Sequence, residues 1–65
     1  MHILVNGVAR EVHATTMAQA LDVLDYQQAI VATALNGVFV PTHRRDTTVL
    51  KEDDALEILA PMQGG

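Results

Sequence analysis

The chain has no cysteine and no tryptophan, and its 65 residues include a single tyrosine, a single phenylalanine and two prolines. Without cysteine there can be no disulfide, no thiolate zinc site and no thiol nucleophile. Basic residues are also few: four Lys and Arg against eight Asp and Glu leave a net charge of −4. Nucleic acid calls for a basic surface with stacking aromatics, and this composition supplies neither. The apolar runs are only a handful of residues long, too short to cross a bilayer, and the opening residues lack the charged start and apolar stretch of a signal peptide. The expectation is a cytoplasmic protein that engages neither nucleic acid nor membrane. Its acidic balance suits a partner with a basic docking surface.

What is present is a core-forming pattern. Apolar residues make up 49% of the chain and charged ones 18%, far from the composition of a disordered segment. A chain of this size forms one domain and buries only about 60% of the surface its unfolded form exposes, so patterning has to be economical. The opening "MHILVNGVAREVHA" alternates around Asn6-Gly7, a strong signal for a two-residue hairpin turn. Val5 then faces Val8, Ile3 faces Arg10 and Met1 faces Val12. Met1, Ile3, Val5, Val8 and Val12 are expected on the core side, with His2, Asn6, Glu11 and His13 on the other and Leu4 stranded among them.

In "TTMAQALDVLD" the period changes. Thr16 with Gln19 three positions on is a capping-box pattern, and Met17, Ala20, Leu21 and Leu24 form one helical stripe that should lie across the apolar face of the hairpin. From Ile30 the alternation is that of a strand, with Val31, Thr33 and Leu35 against Ala32 and Ala34. A second Asn-Gly, Asn36-Gly37, turns the chain into "VFVP", where Pro41 ends the strand or marks a sheet edge. "THRRDTT" reads as a surface connection with room for one helical turn, "KEDD" as an acidic turn, and "ALEILA" as a last strand with Leu56, Ile58 and Ala60 opposed to Glu57 and Leu59.

The order strand, strand, helix, strand, strand, strand gives an α+β fold, a small mixed sheet with one main helix on one face. One helix leaves the other face in water. If the first and last strands are neighbours in the sheet centre, Leu4 and Leu59 make an apolar spot there beside Glu57, a candidate partner interface.

The ordering resembles the β-grasp, or ubiquitin-like, fold. Over the whole chain the residues "LNGVFVP", "EDDALEIL" and the terminal "GG" resemble the ThiS family of thiamin-pathway sulfur carriers. The sequence departs from that family in having no acidic-Gly-acidic turn before the last strand. Asp53 and Asp54 stand there without a glycine, which is read as a change of turn type. The resemblance divides the chain into a β-grasp domain, residues 1–60, and a flexible Gly-Gly tail, residues 61–65. It implies that the chain has no catalytic side chain and binds no cofactor, and that Gly65 is the modified residue. An E1-like enzyme of ThiF type adenylates its carboxyl group with ATP and magnesium, and a persulfide from a cysteine desulfurase displaces AMP. The resulting thiocarboxylate then gives its sulfur to a thiazole synthase of ThiG type. The small subunit of molybdopterin synthase and the ubiquitin-like modifiers share the activation step, and a non-catalytic β-grasp binding module shares only the fold.

The tail suits that task. Pro61 stops the last strand from pairing further, and from Pro61 through Met62, Gln63 and Gly64 to Gly65 an extended chain reaches roughly 17 Å. Gly64 and Gly65 carry no Cβ to obstruct a narrow channel. Other chemistry-bearing residues read as surface. His2, His13 and His43 have no ligand spacing for a metal; Glu52, Asp53 and Asp54 read as a solvated corner; His43, Arg44 and Arg45 read as a solvated loop too short for nucleic acid.

Overall fold

The computed structural model describes residues 1–26 and 29–60. The elements are β1 (His2–Val5), β2 (Val8–Glu11), α1 (Met17–Val23), β3 (Ala32–Leu35), β4 (Val38–Val40), a 3-10 turn (Thr42–Arg44) and β5 (Ala55–Leu59). The five strands form one sheet in the order β2-β1-β5-β3-β4. β5 runs parallel to β1 and antiparallel to β3, so the last strand fills the centre between two hairpins. With one helix and a mixed sheet, this is the expected β-grasp architecture.

Both hairpins turn as the sequence predicts. Asn6 and Asn36 have φ of 50° and 51°, and Gly7 and Gly37 follow at 83° and 84°. Two successive left-handed residues match the twist of the strands, and Asn followed by Gly adopts them most readily. Val5 pairs with Val8 and Ile3 with Arg10 in the first hairpin; Leu35 pairs with Val38 and Ala34 with Phe39 in the second.

The helix begins where the capping box places it. The Thr16 side chain accepts from the Gln19 N–H while the Gln19 side chain accepts from the Thr16 N–H. Two further N-terminal donors go to the long connection that follows β4: Met17 N–H to Thr48 O at 2.9 Å and Ala18 N–H to Arg45 O at 3.1 Å. A helix start otherwise leaves such groups unsatisfied, so residues 45–48 serve as backbone partners for α1.

Beneath α1 the core holds Ile3, Val5, Val12, Met17, Ala20, Leu21, Val40, Leu50, Leu56 and Ile58. Leu56 and Met17 are fully buried. Val8 departs from expectation. It pairs with the buried Val5 yet is 61% exposed, because β2 is an edge strand and all four of its residues are exposed. The third strand begins at Ala32, later than its alternation suggests, and Ile30 is 84% exposed. Ala60, expected to continue the inward row of Leu56 and Ile58, lies past the end of β5 and is exposed.

Two polar groups read as surface are structural. Arg45 donates from Nε to the Thr33 hydroxyl at 3.0 Å and from Nη2 to Val31 O at 2.7 Å, and the buried Thr33 hydroxyl donates to Val40 O at 2.8 Å. A buried hydroxyl is tolerated because it is satisfied, and one arginine ties the connection to β3. Asp54 is buried too; its carboxylate accepts from Lys51 N–H at 2.8 Å and Asn36 Nδ2 at 3.0 Å. The preceding residue, Asp53, takes φ of 70°. This is a left-handed conformation that glycine adopts freely and Asp tolerates, so the missing glycine leaves the turn with its left-handed residue.

Candidate functional site

The sequence points to two places, the C-terminal tail and the sheet face opposite α1. Pro61, Met62, Gln63, Gly64 and Gly65 lie outside the described residues. What the structure does place is their point of departure. β5 pairs with β3 up to Ala32 and Leu59, and Ala60 follows at the surface. A hollow of about 310 Å³ lined by Ile30, Val31, Ala32, Leu59 and Ala60 sits at this exit.

On the face away from the helix, pairing fixes the neighbours. Leu4 stands opposite Ala9 on one side and Ala55 on the other. Along β5 the same face then presents Glu57 and Leu59, which stand opposite Ala34 and Ala32. Leu4 and Leu59 therefore share a face as expected, but four residues of β5 separate their rows, about 13 Å at strand rise. They do not form one spot, and the expectation that they would is corrected: adjacency of two strands does not align the ends of their exposed rows.

The large apolar side chain that shares a hollow with Leu59 is that of Ile30, 84% exposed. Phe39 pairs with Ala34, which pairs in turn with Glu57, and both Phe39 and Leu59 are 66% exposed. The intervening Ala32 and Ala34 have only a methyl group each, so the larger side chains stand above them. Phe39 was legible in the sequence: counting back from Asn36-Gly37 puts it opposite Ala34, on the face of Ala32. The open face is thus apolar at Leu59, Ala32 and Ile30 beside the exit and again at Phe39, two strands away from β5 in the row of Glu57.

At the open end of the first hairpin the charged groups engage one another. His2 lies between two carboxylates, with Nε2 at 3.0 Å from Glu11 and Nδ1 at 3.7 Å from Glu52. The hydrogen bond from the Met1 ammonium at 2.9 Å, followed by the nearby histidines, holds the Glu11 carboxyl below its usual range. Among the described residues no group of three His, Asp or Glu side chains is placed to hold a metal ion, and no helix is long and apolar enough to cross a membrane.

Comparison with known proteins covers the entire chain. The family model described as the ThiS family matches residues 3–65. Among solved structures, the crystal structure of the thiamine biosynthesis protein ThiS from Geobacter metallireducens is 33% identical, with a TM-score of 0.85 and full coverage of both chains. The NMR solution structure of a thiamine biosynthesis protein from the same organism is 32% identical, with a TM-score of 0.78 over all of this chain and 88% of that one. No curated protein sequence matches. A family match spanning nearly every residue, on a sheet order and helix placement shared with those structures, establishes that the chain belongs to the ThiS family.

Proposed function

We propose that this protein is a sulfur carrier, a protein cosubstrate whose C-terminal carboxyl group at Gly65 is the reacting group. The observation that carries the reading is the family match reaching residue 65, the second of the two terminal glycines. A carboxylate does not acylate sulfur nucleophiles by itself, because it would have to expel oxide. Attack of its oxygen on the α-phosphorus of ATP expels pyrophosphate and forms an acyl adenylate. A persulfide sulfur then attacks the carbonyl carbon and AMP leaves. Reductive cleavage of the S–S bond by a thiol completes the thiocarboxylate, which provides sulfur for thiazole formation in thiamin biosynthesis.

The chain contributes no catalytic side chain and holds no cofactor of its own; ATP and magnesium belong to the activating partner. An E1-like enzyme of ThiF type, a thiazole synthase of ThiG type and, indirectly, a cysteine desulfurase are its partners in the cytoplasm. Residues 1–60 act as the handle, and Pro61, Met62, Gln63 and Gly64 carry Gly65 into the partner's active site. Leu59 and Ile30 adjoin the tail exit with Glu57 one row behind, and any enzyme that takes up the tail passes close to them. Leu4, about 13 Å along the strand direction, lies at the margin of such a contact.

Incubation with a ThiF-type enzyme, ATP, magnesium, a persulfide source and a thiol reductant, followed by intact mass measurement, tests the reading. The expected product is heavier by the difference between sulfur and oxygen, and Gly64→Val prevents its formation without unfolding the domain. Attachment of the chain to lysines of other proteins identifies a modifier instead. A binding module is identified by unaltered activity after removal of Gly64 and Gly65.

A further inference from the structure

The two Asn-Gly turns do more than reverse the chain, because both reach sideways to β5. Asn6 N–H donates to Leu56 O at 2.9 Å and Asn36 N–H to Ala55 O at 2.8 Å. Each side-chain oxygen then accepts a β5 N–H: Asn6 Oδ1 from Ile58 at 2.8 Å, Asn36 Oδ1 from Ala55 at 2.9 Å. The amide nitrogens part company. Asn36 Nδ2 donates to the Asp54 carboxylate at 3.0 Å, whereas Asn6 Nδ2 donates to Ile58 O at 3.1 Å.

The Asn6 side chain thus takes both main-chain groups of one β5 residue, as the carbonyl and N–H flanking a further β1 residue would in a parallel pair. An asparagine amide has the same donor and acceptor as a peptide. The substitution occurs where it matters for the exit of the tail. The β1–β5 register ends at Val5 and Leu56, while β3 holds β5 as far as Leu59. On the β1 side, the Asn6 amide is the grip nearest Ala60. Asn36 holds the same strand at its beginning, at Ala55.

Building on the proposed reaction at Gly65, we infer that Asn6 is a positioning residue for that reaction. By gripping Ile58 it holds the end of β5 against both neighbouring strands, and so fixes where Leu59 and Ala60 stand for a partner that takes up the chain end. Asn36, with equivalent turn geometry and the same side-chain acceptor bond to a β5 N–H, has no such role because its grip lies at the far end of the strand.

Asn6→Gly and Asn36→Gly test this as a pair. Glycine accepts the left-handed conformation at both turns, so each variant keeps its hairpin and loses the amide. In ATP–pyrophosphate exchange with a ThiF-type enzyme, Asn6→Gly is expected to raise KM for the carrier by about tenfold with kcat unchanged, the size of one or two lost hydrogen bonds. Asn36→Gly leaves KM unchanged. Amide hydrogen exchange of the free proteins shows Ile58 N–H exchanging about tenfold faster in Asn6→Gly, and Ala55 N–H faster in Asn36→Gly. An equal rise in KM for the two variants, or none for Asn6→Gly, overturns the assignment. Should the wild-type chain fail to be adenylated, the reading of the reaction fails separately. The clamp is then judged on exchange alone, and unchanged protection of Ile58 in Asn6→Gly overturns it.

Discussion

The two faces of the sheet are built from the same strands and obey different rules. On the covered face Ile3, Val5, Leu56 and Ile58 pack against Met17, Ala20 and Leu21 of α1. On the open face, the positions between them carry Leu4, Ala55, Glu57, Leu59, Ala32, Ala34 and Phe39. Both faces are rich in apolar side chains. The covered face is apolar because burial stabilises the fold, and a domain of this size has little stability to spare. The open face leaves its larger apolar groups, Leu59 and Phe39, mostly in water, and they gain little stability there.

Substitutions at two β5 positions on opposite faces break the comparison most sharply. Leu56→Ala, fully buried, is expected to cost about 3 kcal/mol from lost burial and the cavity left behind, read as a lowered midpoint in urea. Leu59→Ala changes the same midpoint by less than about 0.5 kcal/mol, and its effect is read instead as weaker association with the activating enzyme. Equal stability losses at the two positions would mean that the open face is structural.

Arg45→Met tests a smaller effect, the tie between the covered face and the connection over its edge. It removes the bonds to Thr33 and Val31 O, and a loss of about 1–2 kcal/mol in chemical unfolding is expected. Asp53→Gly acts in the opposite direction. Relief of the left-handed strain at φ of 70° should raise the unfolding midpoint by up to about 1 kcal/mol, with partner association unaltered.

The smallest expected effect is a pH dependence at the margin of the open face. Glu11 has its pKa lowered in the folded protein, first by the hydrogen bond from the Met1 ammonium, from an ordinary value of 4.5. Its contribution to stability is present above that ordinary value and disappears as pH falls through the lower folded value. Glu11→Gln should therefore slightly lower stability at neutral pH and leave it unchanged at low pH, flattening the acid limb of a stability–pH curve. An unchanged acid limb would show that the ion pair is too exposed to matter.

Local chemistry made much of the fold legible. Asn6-Gly7 and Asn36-Gly37 announce their turns because few other dipeptides hold two left-handed residues in a row, and Thr16 with Gln19 announces the helix because the capping box satisfies its own backbone. Hairpin register follows from those turns, and with it the place of Phe39. Arg45 and Asp54 were illegible because a charged residue in a polar segment carries no local mark of burial. Their partners, Thr33 and Val31 for one and Asn36 for the other, arrive from distant parts of the chain. Val8 was misjudged because alternation assigns a face to a residue, yet says nothing about how far the helix extends over an edge strand.

The sequence by itself determined the turns, the helix start and the strand faces, all properties of residues close together in the chain. Tertiary structure alone decided that β5 lies between β1 and β3, that Leu4 and Leu59 are separate, and that Asn6 meets Ile58. Those are matters of register between distant segments. Register follows from which side chains fill the shared core and which backbone groups find partners across it, and no local pattern contains that information.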